Sequence, residues 1–270
     1  MKNFSTLSRI EQHAFPGARS NYREPPQISQ TDVVWMTARD NDGDWIAGIF
    51  APGDPGNDTC VIHFYGNDEN LRQSQYMIDN LRSHGVPVLI FDYRGYGASR
   101  GRPKEAAFYS DAELIYDWLR EAHPELKVIA SGWAIGSAVA AYLAQHREVL
   151  GLMMFSPPTN MVECVSHIIP KDQIFIEEAM PFQFDTQERI RKIECPILMV
   201  HGKRDRVVPI KMSEQLSRAI RGTLTRLELD DAGHHDLFAK GGKELWDKVY
   251  AFIDSLSKPN QEKVAAQQGT

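Results

Sequence analysis

Cysteine is scarce in this chain, with three in 270 residues, Cys60, Cys164 and Cys195. An odd number excludes a fully paired disulfide framework, and their spacing fits no metal-ligand pattern. The expected setting is therefore reducing, the cytoplasm. His63, His84, His123, His146, His167 and His201 show no ligand spacing either, so no metal is expected. Long apolar runs are missing. Nothing approaches the ~20 apolar residues of a membrane span, and Met1 to Phe15 lack the continuous apolar stretch of a secretion signal. Lysine and arginine nowhere cluster, and 30 basic against 36 acidic residues leave a formal charge of −6. Nucleic acid is not an expected partner, since phosphate binding needs a basic patch. Internal repeats and low-complexity linkers are absent as well.

What the chain does have is an alternation of short apolar strands with amphipathic helices. Val33–Met36 and Trp45–Phe50 flank the turn-forming Asp40-Asn41-Asp42-Gly43 and predict an antiparallel hairpin. Further strands are predicted at Cys60–Phe64, Val86–Phe91, Val128–Ala130, Leu152–Phe155, Pro196–His201 and Leu224–Leu229. Several are continuous apolar runs, as a sheet covered on both faces requires. Stripes at helical spacing between them predict helices across Leu71–Leu81, Tyr109–Leu119, Ile135–Leu143, Met212–Ile220 and Leu245–Leu256.

The expected fold class is thus α/β, a mostly parallel sheet with an N-terminal antiparallel hairpin and helices on both faces. One domain, residues 31–257, suffices at this length. Residues 1–30 read as an arm in which Phe4, Leu7, Ile10 and Ala14 lie near helical spacing. Residues 258–270 read as a polar tail. Residues 157–195 exceed what one crossover needs and are expected to include a small lid. Its Met161, Phe175, Met180, Phe182 and Phe184 either pack the lid down or line a slot for an acyl chain.

Ligands in such sheets bind beyond the carboxyl ends of the strands, so the residues just after each strand are where chemistry is expected. Val128-Ile129-Ala130-Ser131 runs into Gly132-Trp133-Ala134-Ile135-Gly136 and then straight into a helix. This is the strand–turn–helix setting of the G-x-S-x-G nucleophile elbow, with alanine at the nucleophile position, Ala134. The flanking glycines are needed because strand and helix approach closely around a strained turn. Alone, this pattern could be a tight turn with no chemistry. Asp205, in the loop after the next strand but one, and His234, after the last strand, complete the order nucleophile, acid, base that this elbow uses. Ser131 and Ser137 lie off the elbow and are not replacement nucleophiles. His235 neighbours His234, but the motif puts the base first.

Over residues 31–257 the chain resembles the α/β-hydrolase superfamily. Phe64-Tyr65-Gly66-Asn67-Asp68-Glu69-Asn70-Leu71 is similar to the F-H-G-N-A-E-N-L signature of its bud-emergence-protein-like branch, which includes protein depalmitoylases. Phe91-Asp92-Tyr93-Arg94-Gly95-Tyr96-Gly97-Ala98-Ser99 resembles the branch's F-D-Y-R-G-Y-G-x-S. The resemblance implies an oxyanion hole from the backbone N–H groups of Asn67 and Ile135, and acyl transfer from an ester or thioester by a serine hydrolase. It implies no cofactor; the expected partner is a small or lipidic acyl substrate, or an acylated protein.

Two departures stand out. Tyr65 replaces the usual histidine. Ala134 replaces the serine, so the chain as given is expected to be inactive. It is either a serine-to-alanine variant of an active enzyme or a natural non-catalytic pseudo-hydrolase that binds a ligand or protein. Retention of Asp205, His234, Gly132 and Gly136 favours the first. The depalmitoylases of the branch attach to membranes through an N-terminal cysteine cluster, and no cysteine precedes Cys60, which weakens the thioesterase reading.

Overall fold

The computed structural model describes residues 15, 34–39, 44–168, 180 and 182–257. Eight strands form one sheet: β1 Val34–Arg39, β2 Trp45–Ala51, β3 Thr59–Phe64, β4 Val88–Phe91, β5 Lys127–Trp133, β6 Gly151–Phe155, β7 Ile197–Gly202 and β8 Leu224–Leu229. Their spatial order is β1-β2-β4-β3-β5-β6-β7-β8. The expected hairpin is there: β1 pairs antiparallel with β2, with Arg39 opposite Trp45, and β2 runs antiparallel to β4. All other pairings are parallel.

The helices are α1 Gln75–Ser83, α2 Glu105–Ala122, α3 Ile135–His146, α4 Met161–Ile168, α5 Thr186–Ile190, α6 Ile210–Ala219 and α7 Leu237–Ser257. They cover both sides of the sheet, which is why β3, β4 and β6 are buried along their whole length. This is the α/β-hydrolase fold.

Local differences from the sequence expectation have identifiable causes. The strand expected from Val86 begins at Val88, because Pro87 has no N–H to give to a ladder on a strand paired from both sides. The helix expected from Leu71 begins at Gln75. Asn70 Oδ1 accepts from the Arg72 N–H, and the Asn70 carbonyl accepts from Gln73 and Ser74, forming a turn that competes with helix. α4 and α5 lie in the expected lid, and the hydrophobic pattern did not indicate either. Phe182 and Phe184 are buried, with Phe182 5.1 Å from Phe15 and Phe184 5.4 Å from Phe108 between ring centres. Those two rings pack the segment down onto the domain. Phe175, the rest of the arm and the polar tail lie outside the described residues.

The turn after β4 is held by two buried carboxylates, Asp92 and Asp111, the second accepting the Arg94 N–H at 2.8 Å. Asp92 Oδ1 accepts the Tyr65 hydroxyl at 3.1 Å and the Leu71 N–H at 2.9 Å; Oδ2 accepts the Ala98 N–H at 2.9 Å. The Tyr65 oxygen in turn accepts the Tyr93 N–H at 3.1 Å, and the Tyr93 hydroxyl donates to the Tyr65 carbonyl at 3.0 Å. So the residue standing where histidine was expected is a core residue that ties two loops together. Arg94 pairs with Asp111, Nη2 to Oδ1 at 2.6 Å. Asp92→Ala would orphan several buried donors and is expected to cost about 3 kcal/mol or more, read as a shift in the urea midpoint.

Candidate active site

Because β3, β5, β6, β7 and β8 are mutually parallel, their carboxyl ends share one edge of the sheet. Asn67 follows β3, Ala134 follows β5, Asp205 follows β7 and His234 follows β8. The topology therefore gathers all four at one edge.

A single residue, Ala134, separates β5 from α3, and its backbone stands at φ 51°, ψ −121°. That left-handed conformation is strained for any residue with a Cβ. The glycines on either side leave no alternative. A Cβ at Gly132 would lie 2.1 Å from the Gly136 carbonyl oxygen, and one at Gly136 would lie 2.0 Å from that of Phe64. The Ala134 N–H donates to the Phe155 carbonyl at 2.9 Å, and Ser137 Oγ donates to the Gly132 carbonyl at 2.8 Å. Ser131 Oγ is bound to His63 Nδ1 at 2.9 Å. Both serines are buried and engaged away from the edge.

His234 Nδ1 lies 2.7 Å from Asp205 Oδ2, so a proton on Nδ1 leaves Nε2 as the basic nitrogen. Asp205 Oδ1 accepts the Val207 and Val208 N–H groups at 2.9 and 2.7 Å. Burial would raise this carboxyl. Hydrogen bonds from His201 and His234, the charge of His234 and the Val208 amide outweigh it, holding Asp205 well below the usual carboxylate range. The indole of Trp133, next to Ala134, packs against the His234 ring at 5.1 Å and so couples elbow to imidazole. His235 is exposed, its Nδ1 3.9 Å from Asp68. Asp236 accepts the Gly233 N–H at 2.6 Å and pairs with Lys240 at 2.8 Å, bracing the loop before α7.

Gly136 packs against the Phe64 and Tyr65 carbonyls, which pins the loop carrying Asn67 to the first turn of α3, where Ile135 sits. The Tyr96 hydroxyl, 3.2 Å from the Asn67 carbonyl and 3.0 Å from its Oδ1, fixes that loop from behind. Two groups here were not found from the sequence. His201 Nε2 lies 2.8 Å from the Val208 carbonyl and 3.5 Å from Asp205 Oδ2, bracing the acid's loop. Its position four residues before Asp205 was the available signal. The other is Glu69.

A strained turn at the carboxyl edge of the sheet, with a buried acid–imidazole pair beside it, defines a member of the α/β-hydrolase superfamily. The family model described as Serine aminopeptidase, S33 matches residues 56–175 and 173–240, and the chain belongs to that family. An uncharacterised protein of Mycobacterium tuberculosis (strain H37Rv) is 29% identical over 228 residues, covering 82% of this chain and 78% of that one. Lysophosphatidylserine lipase ABHD12 of Danio rerio is 29% identical over 240 residues, covering 79% and 61%. Among solved structures, an α/β-hydrolase from Vibrio vulnificus superposes with a TM-score of 0.75 at 20% identity, covering 94% of this chain and 95% of its own. A Pyrococcus furiosus esterase superposes with a TM-score of 0.73 at 19% identity, covering 88% and 98%.

Proposed function

We propose that this chain is the scaffold of a serine hydrolase that cleaves a carboxylic ester or thioester, and that it is inactive as it stands because Ala134 occupies the nucleophile position. The single observation carrying this reading is the Asp205–His234 pair at 2.7 Å, set beside a strained elbow that has no other evident use. In the reaction, a serine hydroxyl at 134 would give its proton to His234 Nε2 and attack the acyl carbon. The amides of Asn67 and Ile135 would hold the oxyanion, each worth about 10²–10³ in rate. His234 would then protonate the leaving alcohol or thiol, and water would release the acid by the same steps in reverse. Asp205 fixes the imidazole tautomer throughout.

A lipase and an esterase among the similar proteins support a lipidic acyl substrate, either free or on an acylated protein. Three free thiols support a reducing, cytoplasmic setting. Among the described residues no helix is long and apolar enough to cross a membrane. The same proposal divides the chain into an arm (1–30), a hydrolase domain (31–257, with the lid in 157–195) and a polar tail (258–270).

A natural non-catalytic binding module is the second reading, favoured by Ala134 itself. The test is hydrolysis of p-nitrophenyl acyl esters of graded chain length by the chain and by its Ala134→Ser variant. Turnover by the variant alone supports the hydrolase. No turnover on any ester or thioester, with the fold intact, leaves the binding module.

A further inference from the structure

Against Trp133, the residue before the elbow's Ala134, lies a cleft of about 350 Å³ that the reaction above does not use. Glu69, Tyr76, Trp133, His235, Phe238 and Trp246 line it. These residues come from the loop after β3, from α1, from the end of β5, from the loop before α7 and from α7 on either side of its break at Gly242. Two of its walls, the rings of Trp133 and His235, each lie 5.1 Å from the His234 ring, so the cleft abuts the imidazole of the reacting centre.

Two features set the cleft's chemistry. The first is a set of buried polar atoms without protein partners: Glu69 Oε2, the Tyr76 hydroxyl and the Trp133 indole Nε1 are all shielded from solvent and unbonded. Such atoms are rare in native interiors and take their partner from a water or a ligand. Burial pushes the Glu69 carboxyl up to about 8, with the Gly66 N–H pulling the other way and Asp68 adding to the rise. Among the described residues no cationic side chain pairs with Glu69. An empty cleft thus holds a neutral acid at pH 7, ready to ionise once a positive charge arrives.

The second feature is the wall. The rings of Tyr76 and Phe238 lie 4.9 Å apart, those of Trp133 and Phe238 6.4 Å, and those of Phe238 and Trp246 6.2 Å. Aromatic faces clustered in this way attract a cation through their quadrupoles, and tryptophan does so best. A neutral hydroxyl could satisfy Glu69 but would gain nothing from the ring faces. A cation gains from both.

We propose that this cleft binds a positively charged nitrogen, a protonated amine or a quaternary ammonium, carried by the substrate close to its reacting acyl group. The placement rests on the ester-hydrolase reading; the ligand chemistry rests on the cleft alone. Glu69 and the ring faces make it a specificity site, separate from the groups that move protons.

The full chain is itself a suitable probe, because Ala134 prevents turnover during a titration. It is titrated with butyrylcholine and with dimethylbutyl butyrate, the uncharged carbon isostere, by calorimetry and tryptophan emission. The charged ester is expected to bind about tenfold tighter or more. In Glu69→Gln, checked for folding by its melting transition, that preference is expected to shrink to about threefold or less, with partial recovery in Glu69→Asp. Equal binding of the two esters, or a preference that Glu69→Gln leaves intact, overturns the proposal. Dimethylaminoethyl butyrate, which keeps an N–H, distinguishes the two forms: tighter binding than butyrylcholine assigns a protonated amine, weaker binding a quaternary one.

Ala134→Ser assayed on p-nitrophenyl butyrate separates the two readings. Hydrolysis with no charge preference in binding removes the cation site and keeps the hydrolase. Charge preference with no hydrolysis keeps the site and removes the hydrolase.

Discussion

Ala134→Ser is expected to raise kcat/KM for p-nitrophenyl butyrate by about 10⁴-fold or more over the unaltered chain. The size of the effect follows from how little else must change. The elbow backbone already stands at φ 51°, ψ −121°, so a serine Oγ would enter a conformation that the neighbouring glycines enforce. The base is already oriented, since Asp205 holds His234 Nδ1 at 2.7 Å and Trp133 supports the ring. One oxygen is all that is added. Adding His234→Ala to the serine variant is expected to return the rate to that of the unaltered chain, because nucleophile and base act as a unit and their losses do not add. A serine variant that folds, binds ester and still fails to turn over would reject the hydrolase reading outright.

The second large effect concerns the acid. In the Ala134→Ser background, Asp205→Asn is expected to lower kcat by about 10⁴, with KM changing much less. The amide would retain much of the shape, yet its NH₂ could face His234 and favour the wrong tautomer, leaving Nε2 without its lone pair. A drop below tenfold would mean that Asp205 only shapes the loop. Stability gives an independent readout. The Asp205 carboxyl is held below its ordinary value of 3.8, so ionised Asp205 stabilises the folded state above that value. The contribution is lost as the pH falls through the lower, folded-state value. Asp205→Asn should therefore melt earlier than the unaltered chain at neutral pH, and the gap should close in strong acid.

The legible parts of this protein are those whose physics is local in sequence. Gly132-x-Ala134-x-Gly136 could be read because a tight strand–helix turn needs small residues at fixed spacing, and the two Cβ clashes near 2 Å are that need in atomic form. The sheet could be read because buried parallel strands are continuous apolar runs. The start of β4 was misjudged because hydrophobicity carried the run through Pro87, where hydrogen bonding stops it. His201 was passed over because its value depends on the loop after β7 folding back, so that Val208 meets the ring. The aromatic cleft was the least legible feature: Tyr76, Trp133, Phe238 and Trp246 are scattered over three elements, and no periodicity links them. The role of Tyr65 is illegible for the same reason, since its hydroxyl meets a carboxylate 27 residues further along.

The elbow has one more consequence. Its contortion is imposed by Gly132, Gly136 and the carbonyls they meet, and owes nothing to the side chain at 134, which makes no hydrogen bond at all when that residue is alanine. Position 134 is therefore an interchangeable fitting: the scaffold holds whichever short side chain is placed there in one backbone conformation. Reactivity in this chain is separable from architecture at the level of a single atom. On the hydrolase reading, gaining or losing that atom would switch the chemistry while leaving the shape and the cleft as they are.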